Sequence, residues 1–266
     1  MIKWCAFCQR FQGEIPPFER LDVTHGLCDR CAKIASSFTS EQEQRILKLG
    51  EFSRRFWKAG REQNIAELSN LIEEALREGI RPIDLLYGLA APALGKIGDL
   101  WAKNEITIQE EHQFTKTCET FIDLIAQHIH KDLTPSGILL ANVPGNEHYL
   151  GLRFTQLGLM SIGLASEIMP PASSVKEILN YAKKLNAKTV GLSISLPEQL
   201  PALSSVVKAL TDANFLTKII MSGGAAIKSG MISQDSLPKN VLLIKPVFDE
   251  AERDLFLNES RSVPNE

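Results

Sequence analysis

From residue 136 onward the period of the chain changes. Short apolar runs, ILLANV (138–143), LASEIM (164–169), TVGLSIS (189–195), TKIIMSG (217–223) and VLLIKP (241–246), alternate with longer stretches such as HYLGLRFTQLGLMSIG, VKEILNYAKKLN and LPALSSVVKALTDAN. Runs so short and so apolar read as buried strands, and the stretches between them as helices. Regular alternation of the two predicts an open parallel α/β sheet of Rossmann or flavodoxin type. Such sheets bind ligands beyond the carboxyl ends of their strands. Three segments fall at such ends: 146–151 after the first run, 193–195 after the third, and 222–224 after the fourth. All three carry small or polar residues. A single binding edge is therefore expected there.

Residues 40–133 are written in a different period. NIAELSNLIEEALREG sets Ile65, Leu68, Leu71, Ile72 and Leu76 at helical spacing, with Asn64 as cap and Gly79 as stop. Ser40 followed by Gln42 and Glu43 suits a helix start. Pro82 suits a first turn, and Pro92 predicts a kink further on. Together with EQRILKLGEFSRRFWKAG and TIQEEHQFTKTCETFIDLIAQHIH these segments predict a four-helix bundle.

Residues 1–35 hold four of the five cysteines, as Cys5-x2-Cys8 and Cys28-x2-Cys31. Two such pairs have zinc-ribbon spacing, since thiolates on two tight turns can close a tetrahedral sulfur site. So short a segment has little core of its own, so a structural zinc would supply its folding energy. His25 is expected to be structural and Cys118, alone on a helix, to be packing. The chain thus divides into a zinc-ribbon-like module (1–35), a helical bundle (40–133), a parallel-sheet domain (136–250) and a tail (251–266).

The net charge of -3 over 266 residues, and the mixed charges of the cysteine module, give no basis for expecting direct nucleic-acid binding. No apolar run long enough for a transmembrane helix occurs, and the polar N-terminus lacks signal-peptide character. A cytoplasmic protein with reduced thiols is expected. A catalytic acid–base pair, a phosphate loop and a substrate barrel are all missing from the pattern, so an autonomous enzyme is not expected.

One turn stands out on the binding edge: PGNEHYLG, residues 144–151, with His148 bounded by glycines between a strand and a helix. The order N-E-H-Y-L-G, then GLSIS, then MSGG resembles the cobalamin (vitamin B12) binding domain of methionine synthase, mutases, corrinoid carriers and light-responsive regulators. That family carries D-x-H-x-x-G after its first strand, a Ser-containing motif after the third and Gly-Gly after the fourth. The resemblance spans residues 136–246 and implies that His148 is the lower axial ligand of cobalt. The displaced dimethylbenzimidazole tail would thread past Gly151, Ser193, Ser195, Gly223 and Gly224. Here Asn146 replaces the family's Asp, so the support under the imidazole is an amide without charge, and a weaker histidine donor is expected.

A second motif lies in the bundle: Trp101, Glu111 and His112, a W-x9-E-H pattern. By its chemistry alone this is a core tryptophan beside a solvated acidic helix face. A helical bundle ahead of a cobalamin domain, however, resembles the cap of adenosylcobalamin-dependent light regulators. There the motif lies over the adenosyl group. In some of those regulators a histidine follows the Trp and ligates cobalt after illumination; here that residue is Ala102, which excludes such a bis-histidine state. The DNA-reading module usual in those regulators is replaced by the cysteine module.

The resemblance implies a cobalamin-binding sensor, a photoreceptor using adenosylcobalamin and signalling in transcription regulation or a kinase pathway through a protein partner. A corrinoid methyl carrier of a methyltransferase system and a haem or other tetrapyrrole sensor on the same fold are the alternatives. Homo-oligomers remain compatible with each reading.

Overall fold

The structure is a computed structural model that describes residues 1–34, 39–129, 132–172, 174–213, 218–223, 232–238 and 241–243. The chain divides into two compact units, 1–129 and 130–266.

The first unit opens with a small sheet of β1 (Ile2–Cys5), β2 (Phe11–Glu14) and β3 (Val23–Gly26), followed by the single turn α1 (Asp29–Ala32). β1 is central, antiparallel to β2 and parallel to β3. Then come α2 (Ser40–Arg61), α3 (Ile65–Arg77), α4 (Pro82–Leu85), α5 (Ala91–Ala102) and α6 (Ile108–Ala126). The first cap of α2 is Thr39, one residue before the expected start; its side chain and Gln42 close a reciprocal capping box. Asn64 caps α3 through Glu67 N–H, and Gly79 follows the helix in the left-handed region at φ +82°. Ile65, expected on the apolar face, is exposed, because it sits at the first helical position where the bundle does not reach it. Leu68, Leu71 and Ile72 are buried.

The kink expected at Pro92 takes a definite form. Leu86–Ala90 between α4 and α5 is a π-turn, and Pro92 lies in the first turn of α5. Proline has no N–H to give to the carbonyl four residues back, and a wider turn absorbs that mismatch.

This π-turn is where the cysteine module sits against the bundle. Trp4 is fully buried, and its ring lies so close to Gly88 that a Cβ there would come within 2.2 Å of Cζ2. Nearby, Phe11 N–H donates to Asp84 Oδ1 at 3.2 Å, and Arg81 grips the same carboxylate through Nε at 2.6 Å and a terminal nitrogen at 2.8 Å. Ser53 in α2 donates to the Leu21 carbonyl at 3.0 Å. Elsewhere the bundle core is aromatic: Phe56 and Phe121 meet edge to face at 4.7 Å, and Trp57 lies 5.1 Å from Phe114.

The second unit is a five-stranded sheet of β4 (Thr134–Asn142), β5 (Leu164–Ile168), β6 (Thr189–Ile194), β7 (Lys218–Gly223) and β8 (Val241–Leu243). Helices α7 (Leu150–Ser161), α8 (Val175–Lys184) and α9 (Leu200–Asp212) connect the first four. The order is β5-β4-β6-β7-β8 and every pairing is parallel. That is the flavodoxin-like order, in which the chain reverses direction across the sheet between its first and third strands. β4 starts at Thr134, earlier than the apolar run at 138, because Thr134 still pairs with Leu164 across a register shift at the left-handed Gly137. The last strand is described only to Leu243. The remainder of the run to 246, Gly224 and the tail 251–266 lie outside the described residues.

Candidate cobalamin site and cysteine cluster

The reversal between β4 and β6 opens a crevice at their carboxyl ends. Strand register aligns the ends: Asn142 pairs with Ser193, Ser193 with Ser222, and Ile194 with Gly223. After β4 the chain turns through Gly145, at φ +84°, and reaches His148 before α7 begins at Leu150. His148 is thus on a loop, not in the helix, and its side chain is exposed.

Asn146 beneath it is only 3% exposed. Its Oδ1 accepts the His148 backbone N–H at 3.1 Å and the Ser195 hydroxyl at 3.2 Å, and lies 3.2 Å from His148 Nδ1. Its Nδ2 donates to the Ser193 carbonyl at 3.0 Å and to Asn142 Oδ1 at 3.2 Å. Gly151 faces Ser193 so closely that a Cβ would lie 3.0 Å from its Oγ. His148, Asn146, Gly151, Ser193 and Ser195 are therefore one constellation, with the backbone of Gly223 two strands from Asn142 on the same edge. Imidazole on Nδ1 support with Nε2 uncommitted among the described residues suits a metal that takes one nitrogen donor.

The other three sequence candidates belong to the first unit. Trp101 is in the last turn of α5, and Glu111 and His112 are in the first turn of α6. Trp101 keeps 47% of its surface, which removes the plain reading of a core tryptophan. Glu111 Oε1 accepts from Thr115 Oγ1 at 2.8 Å, and its other oxygen lies 3.6 Å from His112 Nε2. A half-exposed indole keeps a large apolar face open to solvent.

Residues 53–125, from within α2 to the end of α6, match a family described as B12 binding domain. Beyond that segment, most of the chain is similar in fold to the Methanosarcina barkeri monomethylamine corrinoid protein. The likeness has a TM-score of 0.61 at 16% identity and covers 77% of this chain and 97% of that one. A methanol:cobalamin methyltransferase complex from the same organism aligns at 16% identity over 82% of this chain and 83% of that one, with a TM-score of 0.36. A cobalamin-binding protein from Desulfitobacterium hafniense aligns at 20% over 63% and 82%, with a TM-score of 0.37. These two scores add no weight to the fold. His148 and its neighbours lie outside the matched 53–125 segment, so the sheet site rests on its own geometry.

Ahead of the B12 binding domain, Cys5, Cys8, Cys28 and Cys31 converge, with their sulfurs all within 4.8 Å of one another. Cys8 Sγ and Cys28 Sγ are 3.9 Å apart. Four thiolates about 2.3 Å from a tetrahedral zinc lie roughly 3.8 Å from each other, so the cluster fits that ion. Burial opposes ionisation of Cys5. Backbone N–H groups of Cys8, Cys28 and Phe7 outweigh it and bring the thiol down to about 7. Burial, with the neighbouring sulfurs, pushes Cys8 up to about 11 and Cys31 higher still. Four thiolates this close repel one another, and a bound cation would relieve that repulsion. Cys118 stands apart, buried in α6, with its thiol pushed up by desolvation, which agrees with a packing role.

Two contributors had no motif to announce them. Asn142 is a lone polar residue ending an otherwise apolar strand, and that break in the run was its only signal. Gln199 accepts from Ser195 N–H at 2.8 Å and Leu196 N–H at 3.1 Å and donates to the Gly145 carbonyl at 3.2 Å, so it ties the loop after β6 to the loop after β4. No helix among the described residues is long and apolar enough to cross a membrane.

Proposed function

We propose that this chain binds cobalamin with His148 as the lower axial ligand of cobalt and serves as a corrinoid methyl carrier for a partner methyltransferase subunit. The single observation that carries cobalamin binding is His148, braced at Nδ1 by Asn146, at the crevice between β4 and β6 of a flavodoxin-like sheet. Gly151, Ser193, Ser195, Gly223 and, by sequence, Gly224 form the slot for the displaced nucleotide tail. Glycine at 151 gives the close backbone approach that such a slot needs. The carrier role is supported by likeness across almost the full length of a monomethylamine corrinoid protein. Cys5, Cys8, Cys28 and Cys31 hold one structural zinc in this reading.

A second reading is favoured by one observation, the half-exposed Trp101 with Glu111 and His112. In that reading the three contact an adenosyl group on the upper face, and visible light breaks the cobalt–carbon bond. Loss of the adenosyl group removes the partner of Trp101 and shifts the population between two states. Ala102 then leaves water or another donor on cobalt.

Absorbance of the chain with methyl- and adenosylcobalamin, in the dark and after green light, separates the two. A carrier binds methylcobalamin with its spectrum changed by His148 ligation and keeps its size in solution under light. A photoreceptor loses the adenosyl band on illumination and changes size. Identical spectra for wild type and His148→Ala, with equal affinity, would remove His148 from both readings.

A further inference from the structure

We infer that Asn142 is a positioning residue for His148, acting through Asn146; this rests on His148 being the cobalt ligand. The Asn146 side chain lies between two backbone groups whose roles cannot be exchanged. The His148 N–H can only donate, and it meets Oδ1 at 3.1 Å. The Ser193 carbonyl can only accept, and it meets Nδ2 at 3.0 Å. These two contacts decide which end of the amide is oxygen. That oxygen also faces His148 Nδ1 at 3.2 Å, so Nδ1 must carry the ring proton and Nε2 must be bare. Nε2 is then the nitrogen left to coordinate.

Asn142 completes this frame without touching the ring. Its Oδ1 takes the second hydrogen of Asn146 Nδ2 at 3.2 Å, and its own Nδ2 reaches the His148 carbonyl oxygen at 3.4 Å. Both side chains are buried, so the second amide hydrogen has no water to turn to if Asn142 is removed. The pair is matched. A carboxylate at 146 would set an oxygen against the Ser193 carbonyl and Asn142 Oδ1, two acceptors. The replacement of the expected Asp by Asn146 is thus built into its surroundings, and His148 is oriented by dipoles without a countercharge.

The test is nitrogen NMR of the full-length, cofactor-free chain labelled at histidine, at a pH where the imidazole is neutral. In the wild type His148 should be mainly the Nδ1–H tautomer. Asn142→Leu should lower the ratio of Nδ1–H to Nε2–H about fivefold, the size of one net hydrogen bond. Asn142→Asp keeps an acceptor for Asn146 Nδ2 but loses the donor to the His148 carbonyl, so the ratio should fall less than in Asn142→Leu. A merely structural role would move the melting temperature of both variants and leave the ratio alone. An unchanged ratio in folded Asn142→Leu overturns the inference. A wild type that is mainly Nε2–H also overturns it, with no variant needed. Cobalamin titration keeps the two ideas apart. Binding with the wrong tautomer defeats the positioning role alone, whereas the right tautomer without binding defeats the cofactor reading and the role with it.

Discussion

The cysteine cluster and the His148 loop solve opposite problems. In the first, the protein around the four sulfurs is small, three short strands and one helical turn, and burial opposes the charge a metal would need from those sulfurs. A metal bound there would hold the fold. In the second, a five-stranded sheet with its own apolar core fixes one exposed imidazole through a buried amide. The fold there holds the ligand. Sites of the first kind couple metal loss to unfolding, and sites of the second kind couple it only to function.

The largest effect should separate these two behaviours. Cys28→Ser with Cys31→Ser should abolish zinc retention and unfold residues 1–34, because structural zinc supplies on the order of 10 kcal/mol to modules this small. His148→Ala should leave the melting curve unchanged and alter only the cobalamin spectrum. Metal analysis with calorimetry checks both, and a folded, zinc-free double variant would break the comparison.

Acid offers a second route. Cys8 and Cys31 hold protons at neutral pH when no metal is present, and zinc binding must displace them. Protons therefore compete with zinc, and affinity should fall as pH drops, by at least about a hundredfold per unit, since Cys8 and Cys31 alone release two protons. Zinc competition against a chelator between pH 8 and 6 measures the slope; a flat profile would mean that the thiols are not the ligands.

Trp4→Ala should cost about 3–5 kcal/mol, the range for emptying a large buried aromatic site, while Gly88→Ala should cost about 1–3 kcal/mol by overpacking the same contact. Urea unfolding followed for the first unit checks both. Equal stability of Gly88→Ala and wild type would show the π-turn free to yield. A smaller effect on the fold should come from Asn146→Ala, about 1–3 kcal/mol for the buried partners it leaves unpaired. Cobalamin affinity should weaken about 10- to 100-fold, as for other supports of a metal-bound histidine. A large loss of stability instead would place Asn146 with the cysteines as a residue the fold depends on.

Legibility in the sequence follows the same division. The cysteine pairs are spelled out by spacing, because both turns are local. The alternation of strands and helices is visible from 138 onward because each element is internally consistent. Strand order is not, since β4 pairs with β5 and β6 through register that no single segment contains. Hence the choice between Rossmann and flavodoxin order waited for the structure, and so did Asn142 and Gln199, whose roles exist only once strands 50 residues apart lie side by side. The contact of Trp4 with Gly88 is equally silent, because a glycine mid-helix reads as a defect until its neighbour is known.

That contact also sets an order of events during synthesis. Trp4 leaves the ribosome well before Gly88 and Asp84 exist. At roughly 5–20 residues per second the interval is about 4 to 17 s. Through that interval the largest apolar side chain of the small sheet has Phe11 beside it but not the bundle that buries it. Cys31, the last of the four sulfurs, is made long before Gly88, so a zinc clip can gather the strands early and keep Trp4 and Phe11 from straying toward other chains. A nascent chain starved of zinc would meet that same wait unclipped, so early capture of a zinc by the four sulfurs would guard against aggregation as well as add stability.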